Sequence, residues 1–420
     1  MAAEPEGPTF AALDRLAGTL PALGLAVSGG SDSTALLHLT AAWARRRSVR
    51  IEVASVDHGL RAASADEAAA VARDCAALKV PHQLLRWDGT GATGNLMAAA
   101  RAARLALLGD WAHRRGLPAV ALGHTMDDQA ETLLMRLGRG AGVDGLSGMA
   151  EARLHGGVIW LRPLLGLRRG DLRGWLVARG LGWADDPTND DTAYDRVRAR
   201  QAIAALGLPV EALARSAAHL AEARSVLAAA AIASAEGFQA DRGMLRLRAA
   251  SLTASPEIVR RLTIAALRWV TGADYPPRGE DTARLIAAVG AGGQGTLDGV
   301  IARARGGWVE FLREPAAAAR AAGPGRCPGP RDISTRKNTQ IWDRRWVLTS
   351  LPPDACIRAT TGADLQGRDW RAMGLPRLAL LSAPAIVTAG GVILPLLDPG
   401  NIGIEPLRDA AAFTAILQAH

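Results

Sequence analysis

"AVSGGSDSTALLHL", residues 26–39, ends one apolar run at two glycines and restarts as an apolar pattern of helical period. The run before it, "LGLAV" (residues 23–27), reads as a short buried strand; after it, Leu36, Leu37 and Leu39 share one side of a helix. The break sets Ser28, Gly29, Gly30, Ser31, Asp32 and Ser33 at the mouth of a strand and the start of a helix. Main-chain N–H groups there have no intrahelical acceptor, and the helix dipole is positive, so the turn is an anion site. Gly29 and Gly30 allow close backbone approach, and Ser28, Ser31 and Ser33 offer hydroxyl donors. Asp32 is out of place in an anion cradle unless it caps the turn or holds a divalent cation on the phosphates. No G-x-x-x-x-G-K-[ST] occurs, so no lysine of that kind reaches a phosphate.

Working outward, the first two hundred residues alternate strand-like and helix-like segments. "VRIEVASVDHG" is β-branched; "SADEAAAVARDCAAL" opens with Ser64 and Glu67 at capping-box spacing; "HQLLRW" is a third strand. A long helix ends at Gly116, "PAVALG" is a fourth strand, "MDDQAETLLMRLG" a helix and "VIWLRPLL" a fifth strand. The alternation predicts an α/β fold, a doubly wound parallel sheet with ligands at the carboxyl ends of its strands. Residues 1–206 form this domain; residues 207–238 read as one connector helix. A smaller α+β domain over 239–320 follows, then a linker rich in Ala, Pro and Gly, and a last domain over 331–420. "GAGGQG" (residues 290–295) fits a dinucleotide pattern but follows a helix-like run, so it fails its context test.

The 420 residues include 49 Lys+Arg against 41 Asp+Glu, a net charge of +8. That balance suits a phosphate-rich partner, nucleic acid before an anionic membrane, although a chain this long carries +8 for solubility alone. Cys75, Cys327 and Cys356 are scattered and odd in number, which excludes a disulfide framework and fits a reducing cytoplasm. "MAAEPEGPTF" lacks the order of a signal peptide, and no unbroken apolar stretch of about 18 residues occurs, so no membrane span is expected.

A second constellation follows the fourth strand. In "GHTMDDQAETLLMRLG", helical spacing puts His124, Asp128 and Glu131 on one face, with Asp127 beside them and Leu133, Leu134 and Leu137 as the anchoring side. An acidic first turn is ordinary helix chemistry; facing a ligand crevice, the same carboxylates suit Mg²⁺ or an ammonium group.

Ser28–Gly29–Gly30–Ser31–Asp32–Ser33 resembles the S-G-G-x-D-S pyrophosphate loop of the PP-loop ATPases. Within that group the second constellation is similar to a His-His-x-x-Asp-x-x-x-Glu-Thr signature of tRNA(Ile)-lysidine synthetases, with Thr125 at the second His. "SVDHGLRAASADE", "NLMAAARAARLALL", "RPLLGLRRGDLRGWL" and "WADDPTNDDTAYDRVRAR" resemble further segments of the family. Leu105 stands in place of an aromatic residue and Val197 in place of Asn. The likeness is strong over residues 20–205 and diffuse beyond.

The resemblance implies ATP and Mg²⁺ as cofactors and an enzyme that adenylates the C2 oxygen of the wobble cytidine in a CAU-anticodon tRNA(Ile). The amine of free L-lysine then displaces AMP. It implies nucleotide contacts from the Ser28–Ser33 loop and His58, and a Mg²⁺ contact from Asp32. Asp32, Asp128, Glu131, Arg198 and Arg200 become candidate catalytic groups; Arg101, Arg104, His124 and Asp127 become candidate substrate contacts. Arg153, Arg162, Arg168, Arg169, Arg173 and Arg179 read equally as a phosphate track and as a solvated face. Trp160, Trp175, Trp183 and Tyr194 are available for base stacking, although most Trp residues are packing anchors. A homodimer is left open. The alternatives are a tRNA thiolation enzyme of the same fold, poorly served by these cysteines, a small-molecule synthetase, and a non-catalytic tRNA-binding relic, disfavoured by the intact loop.

Overall fold

The computed structural model describes residues 4–57, 64–87, 89, 96–185, 194–321, 339–353, 355–398 and 400–418. Its contacts divide it into two compact units, Met1–Arg224 and Ser225–His420.

The first unit runs α1 (Glu6–Ala17), β1 (Ala22–Ala26), α2 (Ser31–Arg47), β2 (Arg50–Asp57), α3 (Ser64–Leu78), β3 (His82–Arg86) and α4 (Leu96–Arg115). It continues through β4 (Ala119–Leu122), α5 (Met126–Leu137), α6 (Val143–Leu146), β5 (Ala152–His155), β6 (Val158–Leu161), α7 (Arg169–Ala178) and α8 (Asp195–Ala205), and ends within α9 (Val210–Ser234). The sheet order is β3-β2-β1-β4-β6-β5. All neighbours are parallel except the β5–β6 hairpin, which closes one edge. The chain builds outward from β1 to β3, then returns to the other side of β1 as β4. The β1/β4 boundary is therefore the topological switch point, where a crevice opens at the carboxyl ends.

Residue alternation in β1 explains the two-faced burial. Leu23, Leu25 and Val27 pack with α1, α2 and α7 on one face; Ala22 and Ala26 pack with Leu108, Trp111 and Ala112 of α4 on the other. Between them Gly24 leaves room for the Trp111 ring, which an added Cβ would meet at 2.8 Å. The sequence did not signal β5, because exposed Ala152, Arg153 and Leu154 carry no buried face. Leu137, expected as an anchor, is exposed at 57%; Leu133 and Leu134 alone pack inward. Helix α5 has only three turns, and Leu137 lies at its last residue, beyond the packed stripe.

The second unit holds a sheet of order β7-β8-β11-β10-β9, from β7 (Gln239–Asp241), β8 (Met244–Arg248), β9 (Gln294–Leu297), β10 (Val300–Arg305) and β11 (Trp308–Arg313). It is antiparallel throughout and packs on α10 (Pro256–Thr271) and α11 (Gly279–Gly290). Two three-stranded antiparallel sheets follow in the last hundred residues. The expected linker begins instead with α12 (Pro315–Ala321): proline suits a first helical position, and the alanines that look like linker composition bury Ala317 and Ala318.

Candidate functional site

The loop between β1 and α2 folds as its residues dictate. Gly29 takes φ +92°, a region disfavoured for a side-chain-bearing residue, and Gly30 is the extended N-cap of α2. The Ser33 hydroxyl accepts from the Ser28 N–H (3.1 Å) and donates to the Gly30 carbonyl (3.0 Å), so it braces the turn from within. Thr34, which sequence reading did not single out, adds a hydroxyl bond to the Gly29 carbonyl (3.3 Å). Across the crevice, Gly123 follows β4, and a Cβ there would lie 3.1 Å from the backbone of Asp32 and Ser33. The absence of a side chain at Gly123 lets the end of β4 close on the first turn of α2.

Three carboxylates converge at this boundary. Asp32 lies in the first turn of α2, and Asp128 and Glu131 lie in the first two turns of α5. Thr125 caps α5 in a reciprocal box: its N–H (2.8 Å) and hydroxyl (3.0 Å) both donate to Asp128 Oδ2, which leaves Oδ1 facing the crevice partner. That partner is Arg169, the first residue of α7. Its Nε donates to Asp32 Oδ2 (2.8 Å), its Nη2 to Asp128 Oδ1 (3.3 Å) and its Nη1 to Glu131 Oε1 (3.4 Å). Asp127 points away from the triangle. It accepts the Arg169 backbone N–H (2.8 Å) and the Arg168 guanidinium (3.3 Å), and so fixes the start of α7. Arg173, one turn on, donates to the Ser31 hydroxyl (3.1 Å) and pairs with Asp185 (3.0 Å).

The electrostatics follow from burial and these pairings. Burial pushes the Asp32 carboxyl up against the pull of Arg169. Burial would also raise Asp128, yet the charges of Arg169 and Arg196 hold it below its ordinary range. Desolvation works against the Arg169 charge, but Asp32 and Asp128 hold that guanidinium protonated. His124 sits before the N-cap rather than on the helix. Burial pushes its imidazole well down, and the nearby charges of Arg162, Arg196 and Arg104 outweigh part of the pull of Asp128. Among the described residues its Nδ1 is buried without a partner, as is Glu131 Oε2.

The remaining expected residues divide. Arg200 reaches Glu131 Oε1 at 2.9 Å. Arg198, two residues earlier, is exposed and pairs with Asp195 on α8; Arg196 rather than Arg198 places its charge beside Asp128. On α4, Arg104 is half-buried and is pushed below its ordinary range by burial and then by Arg101. Arg162 is likewise pushed down to about 10, by burial and then by Arg153 and Arg101. These guanidiniums form a positively charged wall next to His124. The expected arginine track is not continuous: Arg168 and Arg169 turn to the carboxylates, and Arg179 stacks on Trp175. Trp160 and Trp175 are buried packing anchors; Trp183 is half-buried, 5.7 Å from the Arg173 guanidinium. His58 lies outside the described residues. Sequence reading placed Arg169 only in the arginine run, as phosphate track or solvated face, because helical spacing alone does not tell an arginine at a helix start from its neighbour.

Residues 12–206 match the model of a PP-loop domain family. The chain is 42% identical over 378 residues to a tRNA(Ile)-lysidine synthase of Ruegeria pomeroyi, covering 88% of this chain and 87% of that one. It is 41% identical to a tRNA(Ile)-lysidine synthase of Methylobacterium nodulans, over 72% of this chain and 94% of that one. Among solved structures it is similar to a U34-tRNA thiolase from Methanococcus maripaludis (TM-score 0.45, 16% identity, 51% of this chain and 78% of that chain).

Proposed function

The chain belongs to the tRNA(Ile)-lysidine synthase family, ligase-type enzymes built on a PP-loop domain, and from that premise we propose its reaction and the residues that carry it. It joins free L-lysine to C2 of the wobble cytidine of a CAU-anticodon tRNA(Ile), in the cytoplasm, with ATP consumed to AMP and pyrophosphate. In the first step the C2 oxygen attacks the α-phosphorus of ATP and pyrophosphate leaves. In the second the lysine ε-amine, having lost a proton, attacks C2; the C2–O bond breaks and AMP departs with that oxygen.

The convergence of Asp32, Asp128 and Glu131 on one guanidinium at the β1/β4 boundary is the observation that carries this reading. It joins the phosphate loop to a carboxylate pair suited to an amine. The amides at the start of α2 suit the pyrophosphate tail. Asp128 and Glu131 suit selection of the ammonium group and removal of its proton. Arg104, Arg162 and Arg196 suit the phosphate backbone beside the target base or the charge that develops on it. Asp32 fits a Mg²⁺ contact, since that ion commonly takes one or two carboxylates and fills its remaining positions from phosphates and water. When bound, Mg²⁺ would neutralise charge on the phosphates.

The test is incubation with labelled lysine, ATP and bulk tRNA. Acid-stable label on the RNA is expected, and its absence would overturn the reading. Asp32→Ala should lower labelling and ATP–pyrophosphate exchange together, by about a hundredfold or more, with the far-ultraviolet dichroism unchanged.

A further inference from the structure

The Arg169 guanidinium fills the space that a cationic reactant would need. Its three nitrogens each reach a different carboxylate, on Asp32, Asp128 and Glu131, and its side chain is 19% exposed. Glu131 is 2% exposed; Oε1 is shared by Arg169 and Arg200, and Oε2 is buried with no partner among the described residues. Three carboxylates face the guanidiniums of Arg169 and Arg200 and the charge of Arg196 beside Asp128, so without Arg169 the cluster would be short of one positive charge. The Arg169 side chain also lies next to the place where an anion would sit. It touches Asp32 in the first turn of α2, and Arg173, one turn along α7, touches Ser31 in the same turn.

We propose that Arg169 is a resident counter-ion, held between Asp32, Asp128 and Glu131 until a cation replaces it and the phosphoryl tail of the nucleotide takes up its guanidinium. The inference rests on the reading of the site given above. Arg169 holds three mutually repelling carboxylates converged while the site waits. Once a phosphate offers it a partner, the carboxylates are released to the entering cation. The order of events follows: nucleotide first, cation second. Arg169 acts here as a positioning residue. A divalent metal and the ammonium of an amino acid share the chemistry of the entering group.

The test uses the full chain at pH 8, without nucleotide or RNA. Mn²⁺ binding is counted by electron paramagnetic resonance, and L-lysine binding is measured by calorimetry, for the native chain, R169Q and R169K. R169Q should bind one of the two cations at least tenfold more tightly than the native chain, and the arm that tightens names the source. R169K, whose single ammonium engages fewer carboxylates, should fall between them. A merely structural role for Arg169 would weaken both affinities. Equal or weaker binding of both cations by an R169Q that still melts cooperatively overturns the proposal. Should R169Q fail to fold, R169K decides alone: tighter binding supports the exchange and native or weaker binding overturns it. These readouts need no RNA, so a failure of the labelling assay and a failure here are separable.

Discussion

His124 shows at the scale of one residue how burial selects a protonation state. Its imidazole is neutral in the fold because burial disfavours the cation, and the surrounding arginines add to that. The unfolded chain takes up a proton near the ordinary value of 6.5, whereas the folded chain does so only at lower pH. The stability contributed by the neutral ring is therefore complete above about pH 6.5 and is lost as pH falls below it. We expect His124→Asn to flatten the decline in stability between pH 6.5 and 4.5 by up to about 1.4 kcal/mol per pH unit, read from urea melts at each pH. Cys75 offers a second check. It is 1% exposed, and burial pushes its thiol up to about 12. An aromatic disulfide reagent at pH 8 should leave Cys75 unmodified in the folded chain, as mass spectrometry of its peptide would show, and should react with it once guanidinium is added. A reactive Cys75 would revive the sulfur-relay alternative.

Among the elements, the decisive contact is between the end of β4 and the first turn of α2. The two segments are about ninety residues apart in the chain and touch because β4 returns beside β1. Gly123 is the point of closest approach. Gly123→Ala would place a methyl 3.1 Å from the Asp32 backbone, and backbone yields less readily than a side-chain tip. The variant should lose about 1–3 kcal/mol of stability and bind a nonhydrolysable ATP analogue several-fold more weakly, measured by calorimetry. Unchanged nucleotide affinity would separate the loop geometry from the β1/β4 closure. Helix α7 makes the companion contact. Asp127 fixes its first amide, and that places Arg169 and Arg173 one turn apart over the phosphate loop.

At the scale of the whole molecule, each unit has hydrophobic cores of its own. The first unit's cores lie on both faces of the parallel sheet, and the second unit's lie around three antiparallel sheets. Scanning calorimetry should resolve two transitions. A nonhydrolysable ATP analogue at about a hundred times its Kd would stabilise its binding unit by about 2.7 kcal/mol, raising one transition by roughly 5–10 °C and leaving the other in place. A single transition that moves as a whole would show that the two units unfold together. Among the described residues no helix is long and apolar enough to cross a membrane.

The strand-to-helix break at Gly29 and Gly30, the alternation of elements and the pairing of acids in "MDDQAE" are local features, set by hydrophobic period, capping and glycine chemistry, and the sequence by itself determined them. It also determined the family, because the loop and the acidic segment are contiguous motifs. The tertiary structure alone decided which charges meet. Arg169 and Arg168 are neighbours of the same type, yet one enters the carboxylate triangle and the other binds Asp127 and Glu211. Arg196, Arg198 and Arg200 alternate along one helix, and its rotation against α5 sends Arg200 to Glu131 while Arg198 pairs with Asp195 on its own helix. The alanine-rich start of the linker became a helix because two of its methyl groups found cover. The physical reason is common to all three. Electrostatic pairing and burial depend on distances across the fold, and those are fixed by how strands order and helices pack, which no run of neighbouring residues encodes.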